Sequence, residues 1–145
     1  MARGYPDYFG QSMWPKYGTP LEVDLLESNI PDGTELDIAS ISAQGVLFNV
    51  KAVLVEGGMS HDAYLDLYID GSLMATVSQV YDEYDNPLAS CASVLAVIYR
   101  SSDRGRLIVG ITREVSFRST LVLKARNQSG EVLNCEGKVH YYVVT

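Results

Sequence analysis

The sequence predicts an all-β chain, an antiparallel β-sandwich with an extended N-terminal arm. Three observations carry this. Residues 63–80 alternate apolar and polar side chains on both sides of an Asp70-Gly71 pair, the pattern of two strands joined by a tight turn. About nine such runs recur along the chain, separated by turns rich in Gly, Asp and Asn at fairly regular spacing. No segment has convincing helical periodicity, and no repeat is evident. Within the sandwich class a jelly-roll topology is favoured, with a closed barrel as the alternative.

Residues 1–20 are set apart as the arm, and residues 21–145 form the domain. Three of the five prolines and three of the twelve glycines fall in the arm, which excludes a helix or a central strand there. The arm also holds Tyr5, Tyr8, Phe9, Met13, Trp14 and Tyr17. Disordered tails are poor in such side chains, so these six are expected to be buried on a partner. Folding back over their own domain is the competing expectation.

Strands are expected at residues 21–28, 36–42 and 46–56, with Pro31-Asp32-Gly33 making the first turn. The Asp70-Gly71 hairpin supplies the fourth and fifth. A three-residue turn, Ile69-Asp70-Gly71, pairs Leu67 with Leu73 and Leu65 with Ala75. It leaves Tyr64, Asp66, Tyr68 and Thr76 on the opposite face, and is preferred to a two-residue turn. Residues 90–100 read as a strand buried on both faces. Residues 106–112, 115–127 and 132–144 complete the set, with bends at Gly110 and at residues 112–114.

Composition is that of a globular domain: 145 residues, 47% hydrophobic and 20% charged. No apolar run is long enough to span a membrane, and the first residues lack the apolar stretch of a signal peptide. The net charge of −7 is uneven. Residues 1–99 hold three bases and fourteen acids, residues 100–145 eight bases and four acids. A mainly acidic body argues against nucleic-acid binding, which needs a dominant positive face.

Chemistry-bearing residues are sparse. Cys91 with His61 or His140 is the only conceivable nucleophile–base pair, and Cys91 sits in an apolar run unsuited to a reactive thiol. Cys91 and Cys135 read as buried thiols in a reducing compartment. Asp82, Glu83, Asp85 and Asn86 depart from the calcium-loop pattern and read as a solvated loop. Arg100, Arg104 and Arg106 cluster round one turn. Asn127-Gln128-Ser129 fits the glycosylation triplet. No catalytic residue, metal or cofactor is expected, and the chain is not expected to be an enzyme.

Residues 4–18, Gly-Tyr-Pro-Asp-Tyr-Phe-Gly-Gln-Ser-Met-Trp-Pro-Lys-Tyr-Gly, resemble N-terminal segments of small virion proteins from tailed bacteriophages. Gly45-Val46-Leu47, Leu67-Tyr68-Ile69-Asp70-Gly71, residues 117–123 and Val139-His140-Tyr141-Tyr142 resemble the β-sandwich modules of phage head and tail proteins. The resemblance implies a structural virion component assembled in the host cytoplasm, most simply a capsid decoration (cement) protein. Its implied partners are other virion proteins, the major capsid protein first, and further copies of itself, with no nucleic acid or membrane. A tail or head–tail connector component is an alternative. So is a carbohydrate-binding module using Tyr64, Tyr68, Tyr81 and Tyr84.

Overall fold

A computed structural model describes residues 19–56, 63–78, 94–101 and 105–144. Among them the chain forms ten strands: β1 Thr19–Ile30, β2 Thr34–Ser42, β3 Gly45–Glu56, β4 Ala63–Ile69, β5 Ser72–Ser78, β6 Leu95–Ser101, β7 Arg106–Ile111, β8 Val115–Phe117, β9 Thr120–Asn127 and β10 Leu133–Val143. Two antiparallel sheets result, one ordered β1-β10-β3-β7-β6 with β8 also on β3, the other β2-β9-β4-β5. The pairs β1 with β10, β2 with β9, β3 with β7 and β8, and β4 with β5 are those of one long hairpin. Rolling that hairpin up brings β10 beside β3 and β9 beside β4, which is the jelly roll. The sheets remain two layers and do not close into a barrel.

Alternation explains which side chains fill the space between the layers. Along β9 Leu121, Leu123 and Ala125 are fully buried, and along β4 Ala63, Leu65 and Leu67 are. They meet Leu25, Leu47, Leu54, Leu107, Val109, Leu133 and Val139 of the facing sheet in one continuous core. Cys135 is a free thiol in this core, and burial pushes its pKa up to about 12.

The hairpin register differs from the expected one. Asp70 and Gly71 both have positive φ, 51° and 85°, so the turn has two residues and its twist matches the strands. It pairs Ile69 with Ser72 and Tyr68 with Leu73. A bulge at Met74 then shifts the ladder, so that Leu67 faces Ala75 and Leu65 faces Val77. The bulge keeps Ala75 and Val77 on the core face and leaves Leu73 and Met74 exposed.

Two further expectations are corrected. Residues 95–101 form a sheet edge, with Ile98 64% and Tyr99 45% exposed, rather than a strand covered on both faces. The run 115–127 is two strands in different sheets, the chain crossing between layers at Arg118 and Ser119. Thr19 and Pro20, placed in the arm by the sequence reading, pair with Val143 and Tyr142 in β1. Pro20 fits there because β1 is an edge strand.

The crossing is held by Asp70. Its carboxylate accepts hydrogen bonds from the backbone N–H groups of Arg118 (3.0 Å), Ser119 (2.7 Å) and Thr120 (3.1 Å), and from the Ser119 hydroxyl. The backbone donors, Ser119 first, hold its pKa down from 3.8 to about 2. A lowered folded-state pKa gives stability that is complete above about pH 4 and lost as pH falls towards 2. Melting temperatures of the wild type and Asp70→Asn should therefore differ by several degrees at pH 6 and converge between pH 4 and 2. A difference that stays constant over that range would refute the lock.

Candidate interaction surface

The outer face of β1, β10 and β3 is the most structured exposed surface among the described residues. Its rows follow from the register: Glu22 beside His140 beside Asn49, and Asp24 beside Lys138 beside Lys51. A register shift next to His140 makes Phe48 an extra residue in β3. Leu47 and Val50 both reach the core, so Phe48 and Asn49 between them both point outward.

His140 is held at both ring nitrogens. The Asn49 amide donates to Nδ1 at 3.1 Å, which leaves the proton of the neutral ring on Nε2, directed at Glu22 Oε1 at 2.9 Å. Lys138 Nζ bridges Glu22 at 2.9 Å and Asp24 at 3.1 Å. Lys138, then His140, lowers the Glu22 pKa, while Glu22, then Asp24, raises that of Lys138. These are exposed pairs, so they orient side chains more than they stabilise the fold, and salt screens them.

Next to this network is an aromatic platform. Phe48 stacks on Tyr142 with ring centroids 4.3 Å apart, and meets the His140 ring at a tilt, with centroids 5.8 Å apart. Tyr142 is buried yet lies outside the core between the sheets. A depression of 400 Å³ opens here, lined by Pro20, Leu21, Glu22, Phe48, Asn49 and His140. A second, of 540 Å³, runs along the strands past Lys51, Gly137 and Lys138. Both are shallow surfaces with an apolar floor and a charged rim, suited to another polypeptide.

The other outer face is closed over its aromatic rings. Arg126 lies 4.4 Å from the Tyr64 ring centroid and Lys124 5.2 Å from that of Tyr68. A sugar stacking on these tyrosines would have to displace both cations. Beneath them Asp66 is 2% exposed, accepting from Arg126 Nε at 2.6 Å and Nη2 at 3.2 Å and from the Thr76 hydroxyl at 2.8 Å. The sequence reading set Asp66 on this face correctly but missed its burial, because its partner lies in another strand.

Asn127 is fully buried, with Nδ2 donating to the carbonyls of Ile30 and Glu131 and Oδ1 accepting from Ser129. The nitrogen a glycan would need is thus occupied in the fold. Tyr5, Tyr8, Phe9, Met13, Trp14 and Tyr17 lie outside the described residues, as do His61, Tyr81, Tyr84, Cys91, Arg104 and the acidic residues 82–86. Among the described residues no three His, Cys, Asp or Glu side chains converge on a metal position.

No family model matches the sequence, and no curated protein does. Among solved structures the chain is similar to the infectious bursal disease virus VP2 subviral particle, at 15% identity and a TM-score of 0.38. The match covers 88% of this chain and 33% of that one, so the chain spans about a third of that protein's length. At this distance the likeness carries no information on function.

Proposed function

We propose that the protein is a non-enzymatic structural component of a phage virion, a capsid decoration protein that binds neighbouring subunits through residues 1–18. The observation that carries this is the position of β1. It is an edge strand that enters the sheet at its end, Thr19 pairing with Val143, the last residue of β10. The segment that precedes it holds the six aromatic and methionine anchors. The likeness of this segment and of the strand pattern to phage virion proteins supports the same reading. So does the use of the buried polar groups Asp66 and Asn127 in holding strands and loops together.

Energetics favour such an arm. Each aromatic side chain can bury on the order of 150–250 Å², at roughly 25 cal/mol per Å². Prolines 6 and 15 restrict the unbound segment and lower the entropy lost on docking. Trp14→Ala should weaken attachment to particles lacking the protein by about 2 kcal/mol, roughly thirtyfold. Attachment of the wild type should survive moderate salt, because the drive is apolar. Bound copies can be counted by gel densitometry. Equal occupancy by both proteins, or release of the wild type by a few tenths molar salt, would overturn the proposal.

A further inference from the structure

We infer that Glu22, His140 and Asn49 form a pH-sensitive switch, in which protonation of the imidazole turns the Asn49 carboxamide over and changes what this face offers a partner. The hydrogen-bond roles are fixed from one end. An ionised Glu22 can only accept, so the ring nitrogen facing it at 2.9 Å, Nε2, carries a hydrogen. Nδ1 is then the bare nitrogen of the neutral ring, and the Asn49 amide group donates to it at 3.1 Å. A proton added to the ring goes to Nδ1, where it meets the Asn49 donor head-on. Asn49 resolves the conflict without moving its backbone. Half a turn of the carboxamide brings Oδ1 to Nδ1 as acceptor, in a charge-assisted bond, and swings Nδ2 to where Oδ1 was. Among the described residues the Asn49 side chain has no other hydrogen bond to lose.

The surroundings set the window and the consequence. Glu22 and Asp24 approach from β1, Glu136 and Lys138 lie on the same strand as His140, and Lys51 stands beside them on β3. Phe48, stacked on Tyr142, meets the ring from β3. Lys138, then His140, lowers the Glu22 pKa, so Glu22 stays a carboxylate while the ring gains its proton. The His140 side chain is 29% exposed, within reach of solvent protons. Imidazole is the side-chain type whose charge changes between about pH 8 and about pH 5. Three acids and two lysines leave the group at a net −1 while His140 is neutral, and the imidazolium cancels it. Asn49 lines both depressions, so its outward atom changes from an oxygen to an N–H group beside each. A partner presenting donors or positive charge is favoured before the change, and one presenting acceptors after it.

The test is side-chain NMR of the full chain, labelled with ¹⁵N and ¹³C and titrated from about pH 8 to about pH 5. Long-range ¹H–¹⁵N spectra of His140 should show the Nε2–H tautomer at the upper end. The Asn49 side-chain amide should shift with the same midpoint as His140. Its cross-relaxation with the ring Hε1 should be strong above that midpoint and weak below it. Asn49→Asp, an acceptor in either orientation, should raise the proton affinity of His140 at least tenfold, with the far-ultraviolet spectrum unchanged. An Nδ1–H tautomer at the upper end, equal cross-relaxation at both ends, or an unchanged midpoint in the aspartate variant would each overturn the switch.

Discussion

Gly137→Ala is expected to destabilise the protein by on the order of 3–5 kcal/mol, a large share of a typical domain's stability. Gly137 sits mid-strand in β10, between Leu25 of β1 and Ala52 of β3. Its φ of 142° is one that residues with a side chain rarely adopt, and a Cβ there would run into the Lys51 carbonyl and reach 3.0 Å from the Ala52 Cα. The conformation alone costs about 1–3 kcal/mol. The collision is with backbone of a central strand, so relief requires β3 and β10 to part, losing ladder bonds worth about 1 kcal/mol each. Gly130→Ala is the control, since Gly130 has φ 86° but open space around it, and should cost about 1–2 kcal/mol. Denaturant midpoints would compare the two. Equal losses would show that close approach of β10 to β3 is not what requires the glycine.

This position also shows what the sequence displayed and what it hid. A glycine inside an alternating run is a signal for close backbone approach, and it stood in Cys135-Glu136-Gly137-Lys138-Val139. The strands themselves were legible because a half-buried sheet imposes a period of two, as along β4 and β9. Bulges were not. Met74 and Phe48 carry no mark that sets them apart from ordinary strand residues, yet each re-aims its neighbours. Asp70-Gly71 announced the turn, while the shift beyond it depended on keeping Ala75 and Val77 against the core. Ile98 and Tyr99 were apolar enough to suggest burial, but which strand ends a sheet is decided by pairing, not composition. The candidate surface was the least legible part. Glu22 and His140 are 118 residues apart, and only the β1–β10 register makes them neighbours.

Arg126→Ala should cost about 3 kcal/mol, because it strips a buried carboxylate of its charged partner. Asp66 is almost wholly enclosed, and without Arg126 it keeps, among the described residues, only the Thr76 hydroxyl as a hydrogen-bond donor. The guanidinium fork matters as well as its charge. Arg126 engages both Asp66 oxygens through Nε and Nη2, and the carboxylate raises the guanidinium pKa further. Lysine can offer only a single point charge, so Arg126→Lys should fall between the wild type and the alanine variant. At roughly 2–4 °C per kcal/mol for a chain of this size, the alanine variant should melt roughly 6–12 °C lower. Replacing both partners, Asp66→Leu with Arg126→Leu, removes the buried charge along with its counter-ion and should recover much of the loss. An alanine variant within about 0.5 kcal/mol of the wild type would mean that water satisfies Asp66 and that β4 and β9 are not tied by this pair. The expected loss instead makes the pair a brace across the middle of the second sheet. With its polar groups committed inward in this way, that face would serve as scaffold, leaving the β1-β10-β3 face to make contacts.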